Sequence, residues 1–269
     1  MSDVLVIAGT TDAKIVIQRL LEMNVDTAVT VATRMGCRML DDYQHLNVYQ
    51  GKLNKERILS LLNALKPQCL IDASNPFSGE ITRNAIHVCQ SANMPYIRFE
   101  REKLNYDDNP NVVVVRNYGE ACEVLSQCAG NILLTLGSNK IETFTKIPDY
   151  NQRVFLRILP DWKVLCKCEK LGFNPKNIIA IKGPYNEALN IELFKYCNAA
   201  VLVTKESGNM GGVVDKINAA DKLGMKTILV DRLEEQCTNK TSSIDEIMEF
   251  VNQTKNLSIS NQKTYKETK

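Results

Sequence analysis

Short apolar runs alternate with segments of helical period along almost the whole chain, and this alternation limits the fold more than any other feature. Val4–Ala8 reads as a strand. Ala13–Met23 reads as a helix, with Ile15, Val16, Leu20 and Leu21 at helical spacing, and Thr27–Ala32 as a strand again. The pattern continues with a short strand near Asn47–Tyr49, helix Lys55–Leu65, strand Cys69–Asp72, helix Gly79–Ala92 and strand Tyr96–Phe99. Beyond the polar stretch Glu102–Pro110 come strand Val112–Arg116 and helix Glu120–Gln127. Further strands read at Ile132–Leu136, Val154–Ile158, Asn177–Ile181, Ala200–Thr204 and Thr227–Val230, with helical segments between them and a last helix at Ile244–Val251. Strands separated by helices cannot pair as tight hairpins; each returns beyond its helix to lie parallel to an earlier one.

The expected fold is α/β, with two Rossmann-like parallel-sheet halves and a cleft between them. Residues 1–101 form the N-terminal, nucleotide-binding half, 111–251 the second α/β half, and 252–269 a polar tail without apolar period that is expected to fray. The length of 269 residues fits one large domain or two small ones. In open parallel sheets, ligands bind beyond the carboxyl ends of the strands. The polar and glycine-containing clusters fall at those ends: Gly9–Asp12, Thr33–Gly36, Ser74–Gly79, Gly137–Lys140, Gly183–Tyr185 and Lys205–Gly208.

Two clusters suit a bound phosphate. After strand Val4–Ala8 come Gly9, Thr10, Thr11 and Asp12, and then a helix; after Ala200–Thr204 come Lys205, Glu206, Ser207 and Gly208, with Gly211 and Gly212 opening the next helix. N–H groups at a helix N-terminus carry partial positive charge, and glycine lets a ligand approach the backbone. Neither cluster is the G-x-G-x-x-G dinucleotide fingerprint. Arg34, just after the second strand, stands where a ribose 2′-phosphate would be read, although it also reads as an ordinary solvated arginine. In Ser74-Asn75-Pro76-Phe77, the proline keeps Asn75 extended and aims an amide and a ring above the sheet.

Composition excludes several classes. A net charge of +2 gives no footprint for nucleic acid. No apolar stretch approaches the roughly 20 residues that cross a bilayer, and none reads as a secretory leader. The nine cysteines are scattered without a C-x-x-C pair, which reads as free thiols in a reducing cytoplasm. Cys166 and Cys168 alone make a poor zinc site, so no metal is expected. With only His45 and His87, hydrolase triads and histidine-rich metal centres are disfavoured.

Taken in order, the clusters resemble the precorrin-6A reductase family, which includes the cobalt-precorrin-6A reductases of corrin-ring (cobalamin) synthesis. The resemblance runs through VLVIAGTTDA from Val4, DASNPFS and TRNA between Asp72 and Ala85, and PYIRFER from Pro95. It continues with LLTLGSNK from Leu133, RILP from Arg157, AIKGPYNEALN from Ala180 and LVTKESGNMGG from Leu202, ending in KINAADKLG to Gly224. Ala8 stands where the family often has glycine, and Asn75 where it has histidine. The resemblance implies reduction of one double bond of a methylated tetrapyrrole, with NADPH as cofactor. Its implied partners are the macrocycle and, for transfer of product, neighbouring enzymes of the pathway.

Residue roles follow as expectations. Gly9, Thr10, Thr11, Arg34, Ser74, Asn75, Lys205, Ser207 and Gly208 are assigned to the cofactor. Phe77, Arg98, Gly137, Ser138, Gly183 and Tyr185 are assigned to the substrate, with Arg101 as a further carboxylate partner, although Glu100 and Glu102 also read as simple ion-pair partners of the two arginines. Tyr185 and Lys205 are the candidate proton donors, beside bulk water. Two other readings remain open: a corrin-ring methyltransferase using S-adenosylmethionine, and a non-catalytic nucleotide-binding regulator.

Overall fold

The first strand shows why the chain folds as it does. In β1 (Val4–Ile7) every residue is buried, with Val4 and Val6 in one apolar cluster and Leu5 and Ile7 in another. Successive side chains of a strand point to opposite faces, so a continuous apolar run belongs to a sheet covered on both sides. The computed structural model describes residues 2–43, 46–208, 211–232, 237 and 239–267, with side chains described as far as residue 256. His45, Asn209 and Met210 lie outside the described residues.

Lys103–Arg232 forms one compact unit, and the chain on either side of it forms the other. The first unit contains β1, α1 (Thr11–Glu22), β2 (Thr27–Val31), α2 (Arg34–Arg38), β3 (Asn47–Gln50) and α3 (Lys55–Leu65). It continues with β4 (Cys69–Asp72), α4 (Gly79–Ser91) and β5 (Tyr96–Phe99). The second contains β6 (Val112–Val115), α5 (Tyr118–Ser126), β7 (Asn131–Leu134), α6 (Tyr150–Arg153), β8 (Val154–Ile158) and α7 (Trp162–Lys170). It ends with β9 (Ile178–Ala180), α8 (Glu187–Tyr196), β10 (Ala199–Lys205), α9 (Val213–Lys222) and β11 (Lys226–Val230). The chain then returns to the first unit with β12 (Lys240–Thr241) and α10 (Ile244–Glu267).

Each unit holds one six-stranded sheet, and every strand pairing is parallel. The first sheet runs β3-β2-β1-β4-β5-β12 and the second β9-β8-β7-β10-β11-β6. Both follow the Rossmann order 3-2-1-4-5-6. In the first, the sixth place is filled by a strand that follows the second unit; in the second, by a strand that precedes its own first strand. The order reverses between β1 and β4 in one sheet and between β7 and β10 in the other, so loops diverge there and leave a crevice.

This topology corrects the expected domain limits. The segment up to 251 assigned from sequence to the second half rejoins the first beyond Arg232, because alternation reveals strands and not the sheet each one joins. Ile247, Met248 and Val251 of α10 are buried with Val16, Ile17 and Leu20 of α1. α10 also runs to Glu267 instead of fraying at residue 252. No glycine or proline interrupts the sequence from Ile244 to Glu267, so nothing in it stops the helical ladder. The opposite face of the first sheet packs Leu5, Ile7 and Leu70 on Ile58 and Leu62 of α3 and Val88 of α4. In the second unit Leu133 and Leu202 pack with Phe194 of α8 and Ala219 and Ala220 of α9. Each fully buried leucine or phenylalanine contributes about 1.5–3 kcal/mol. Among the described residues no helix is long and apolar enough to cross a membrane.

Candidate functional site

At the first switch point, β1 ends into Gly9 and Thr10. Gly9 has φ 142°, a backbone that side chains rarely adopt, and a Cβ built on it would meet nothing within 4 Å. The backbone there is therefore open to close approach. Thr10 caps α1: its Oγ1 accepts from Ala13 N at 3.1 Å and donates to Ala73 O at 3.2 Å, tying the β1 loop to the β4 loop. The first-turn N–H groups of Thr11 and Asp12 have no partner within the helix. Thr11 is exposed.

Next in the sheet, Thr33 caps α2 through Gly36 N at 3.1 Å and leaves Arg34 exposed on the first turn. No hydrogen bond or ion pair holds Arg34 among the described residues. The β4 loop folds on itself. Asn75 Oδ1 accepts from Phe77 N at 2.9 Å, and Asn75 O accepts from Ser78 N at 2.8 Å. Asn75 thus spends its side-chain carbonyl inside its own turn, while Phe77 stays half-buried beside it.

Beneath this loop lies a buried ionic network. Asp72 is fully buried and Arg98 is 2% exposed. Arg98 donates to Asp72 at 2.8 Å, Glu100 at 2.7 Å, Thr82 at 2.7 Å and Ser74 Oγ at 3.4 Å. Asp72 also accepts from Ser74 N and from Tyr96 OH, each at 3.0 Å. Burial alone would lower the Arg98 pKa, but Asp72 and Glu100 outweigh it and raise it. Tyr96 is pushed upward by burial and by Asp72. Arg98, assigned from sequence to the substrate, is instead enclosed and holds the floor of the loop. Ser74, assigned to the cofactor, is likewise buried in the network. Arg101 pairs with Asp12 on the first turn of α1.

A cavity of about 400 Å3 lies elsewhere, at the α4–β5 turn and therefore at the amino edge of the sheet. Its lining, including Gln90, Asn93, Met94 and Cys237, has no formal charge. It therefore suits neither a phosphate nor a polycarboxylate.

The second unit arranges its strand ends differently. Gly137, beyond β7, has φ 78° and open space where a Cβ would stand. Ser138 beside it is half-buried, and its carbonyl accepts from Lys167 Nζ at 3.0 Å. Beyond β9, Gly183 leads to Tyr185, whose hydroxyl donates to Lys182 O and whose ring lies 5.7 Å from the Arg157 guanidinium carbon. Arg157, near the end of β8, donates to Asn190 Oδ1 at 2.7 Å. Asn190, 1% exposed on α8, in turn donates to Tyr185 O at 3.0 Å and Asn186 O at 2.8 Å. One buried amide thereby fixes both the arginine and the Gly183–Tyr185 loop.

On the other side of the switch point, Lys205 ends β10, and its proton affinity is lowered by burial. Glu206, fully buried, pairs with Arg232 and accepts from Gly208 N at 3.1 Å. That bond uses the Gly208 N–H expected to meet a cofactor phosphate, and the Ser207 Oγ is also buried. The structure does not bring these two residues to the role the sequence suggested. What the loop presents instead is Lys205.

A further residue escaped the sequence reading. Lys216 of α9 is 6% exposed, and its Nζ donates to Thr204 Oγ1 at 3.2 Å. Its pKa is pulled down to about 7, chiefly by burial and further by Arg157 and Lys205, with Asp215 opposing them. Arg157 is lowered too, by burial. The signal lay in the helical period: Val213, Lys216, Ile217 and Ala220 are all buried on α9, which puts a lysine on the apolar face. Arg157 and Lys205, near the ends of β8 and β10, and Lys216 of α9 thus form a cluster of basic side chains. The arrangement can hold carboxylates, whereas the first unit offers helix N-termini and open backbone. Among the described residues no group of three or more His, Cys, Asp or Glu side chains could hold a metal ion.

Comparison with known proteins places this arrangement. A family model described as Precorrin-6x reductase CbiJ/CobK matches residues 3–252. A cobalt-precorrin-6A reductase of Priestia megaterium is 35% identical over 94% of this chain and 99% of its own length. One from Methanothermobacter thermautotrophicus is 32% identical over 92% of this chain and 83% of its own. The solved structure of a CobK precorrin-6A reductase superposes with a TM-score of 0.79, at 21% identity, over 94% of this chain and 98% of that one. The last likeness shows the fold.

Proposed function

This chain belongs to the precorrin-6x reductase family, an oxidoreductase family of cobalamin biosynthesis, and from that premise we propose that it reduces one double bond of the cobalt-precorrin-6A macrocycle with NADPH. The cobalt form is favoured because relatives named for it reach 32–35% identity, against 22–24% for those named for precorrin-6A. The observation that carries the reading is the cluster of basic side chains, Arg157 and Lys205 with Lys216 beside them. It suits an acid-rich macrocycle on the second unit and leaves the nucleotide to the first.

The first unit fits a dinucleotide on its own geometry. Bare backbone at Gly9 and the first turn of α1 suit the pyrophosphate, and Thr10 holds that turn in place. Arg34 at the end of β2 suits the 2′-phosphate, and Asn75 and Phe77 border the same crevice. NADPH bound there would supply the hydride. The protein's own part is position: Arg157, Lys205, Gly137 and Ser138 hold and orient the macrocycle. The ring also takes up a proton. Of the two candidate donors, Lys205 fits better, because burial makes it release a proton more readily than an exposed lysine. The Tyr185 hydroxyl already donates to Lys182 O. All nine cysteines are free, which suits a reducing cytoplasm.

The test is a titration with NADPH and NADH, followed by NADPH consumption on adding cobalt-precorrin-6A. Preferential NADPH binding is expected. Arg34→Ala should narrow the preference about tenfold, roughly 1.4 kcal/mol. Binding of S-adenosylmethionine instead would transfer the chain to methyl transfer; nucleotide binding without turnover would make it a regulator.

A further inference from the structure

We infer that Lys216 reads the charge of the substrate through a proton: it is an uncharged amine in the free protein and becomes an ammonium when carboxylates of the tetrapyrrole settle on Arg157 and Lys205. This inference rests on the proposed function above.

An ammonium has three donors, and Lys216 Nζ has one acceptor among the described residues, the neutral Thr204 Oγ1. No carboxylate pairs with it there, and it is 6% exposed. A buried charge without a counter-charge is costly, and the group sheds its proton instead. The groups around it agree. Arg157 from β8 and Lys205 from β10 both disfavour a further positive charge, and Asp215 on α9 itself is the one opposing acid that acts on it. From α8, which packs on α9, Glu187 is bound to Lys222 and Glu192 to Lys195 at 2.9 Å. Beyond β11, Asp231 is bound to Lys103. The resulting pKa of about 7 leaves Lys216 mostly neutral on the alkaline side of neutrality.

Carboxylates docking on Arg157 and Lys205 cancel the two charges that oppose protonation. The Lys216 lone pair then takes a proton from solvent, a new N–H bond forms, and the site gains one positive charge. A neutral or esterified macrocycle brings no such gain. Lys216 therefore acts as a positioning and specificity residue, through the field at the site and not through contact with the reacting atoms.

Calorimetric titration of the full-length protein with cobalt-precorrin-6A at pH 8, in two buffers of different ionisation enthalpy, counts the protons. A lysine of pKa about 7 should take up roughly 0.9 proton per macrocycle bound at that pH. Lys216→Met should bind more weakly with uptake near zero. Binding by the parent protein without uptake, or equal uptake by the variant, overturns the inference. Independently, the lysine ε-methylene signals of the ligand-free protein, followed by NMR against pH, should include one that titrates near neutrality and is missing from Lys216→Met. If every lysine titrates in the ordinary range near 10, the inference fails whatever binds. Absence of any macrocycle binding overturns the functional reading and the docking half of this inference, and the NMR titration then decides the free-state half separately.

Discussion

The two units share one strand order and differ in how they treat charge. In the first, Arg98 has Asp72 and Glu100, and Arg101 has Asp12, while Arg34 stays exposed. In the second, Arg232 likewise has Glu206, but Arg157 and Lys216 have neutral partners, Asn190 and Thr204. Internally matched charges fix a loop and add little field beyond it, whereas a guanidinium on a neutral partner, as at Arg157, projects a field that attracts acids. This contrast underlies the proposed division of ligands, a nucleotide on the backbone of the first unit and an acid-rich macrocycle on the side-chain charge of the second. If this contrast is right, removing an arginine should have opposite consequences in the two units.

The largest effect is expected from Arg98→Met. It leaves Asp72 buried without its cation, and breaking a buried pair in this way costs about 3–5 kcal/mol. Chemical denaturation should show the loss, with substrate affinity changed only as far as the Ser74–Phe77 loop is disturbed. A loss below about 1 kcal/mol, the range of an exposed pair, would mean that the network does not hold the floor of the loop.

Second in size is a pH effect confined to the other unit. The unfolded chain protonates Lys216 below about 10.5, and the folded chain only below about 7. Between those values the unfolded state holds more protons, so stability should rise with pH by up to about 1.4 kcal/mol per unit. The penalty is complete below about 7 and is relieved as the pH approaches 10.5. Denaturation of Lys216→Met should lack this slope, and Arg157→Met should move its lower limit upward by removing a neighbouring positive charge. An identical slope in parent and Lys216→Met would place the titration elsewhere.

Third, Arg157→Met should spare stability and cost affinity. Losing one charge-assisted contact is worth about 1.5–3 kcal/mol, or roughly 10–150-fold in KM for the macrocycle. NADPH affinity should stay within about twofold. A matching loss of NADPH affinity would undo the assignment of ligands to units.

The contrast was only partly visible in the sequence. β4, β5 and β8 fall within the residues read as strands, because buried parallel strands are near-continuous apolar runs. β12 was not legible. Its two residues, Lys240 and Thr241, carry no apolar pattern, and backbone bonds from Arg98 N to Asn239 O and Glu100 N to Thr241 O hold the chain there. The open turn at Gly9 was legible because its chemistry is local. For Arg98 the local partner Glu100 was legible beside the substrate reading, whereas Asp72, 26 residues earlier, was not. Lys216 received no role from the sequence, although its spacing from Val213, Ile217 and Ala220 marks it as inward-facing.

The smallest effect compares two threonines, each beyond the first strand at its switch point. Thr10 follows β1 and Thr135 follows β7, and each donates its hydroxyl across the switch point, to Ala73 O at 3.2 Å and to Val203 O at 3.0 Å. Thr10 has a second duty, since its Oγ1 also accepts from Ala13 N and caps α1. Thr135 has none of this kind, and Val203 O keeps the Thr135 backbone N–H at 2.8 Å whatever the side chain. Thr10→Ala should therefore cost about 1 kcal/mol for the lost cap, with weaker NADPH binding because the turn meant for the pyrophosphate loosens. Thr135→Ala removes one hydroxyl from an acceptor that stays satisfied, and its cost should fall at or below about 0.5 kcal/mol, the low end for a hydrogen bond. Equal losses in the two variants, both without effect on NADPH, would show that the first turn of α1 takes no part in holding the nucleotide. The cofactor would then have to be sought at the β2 and β4 ends alone.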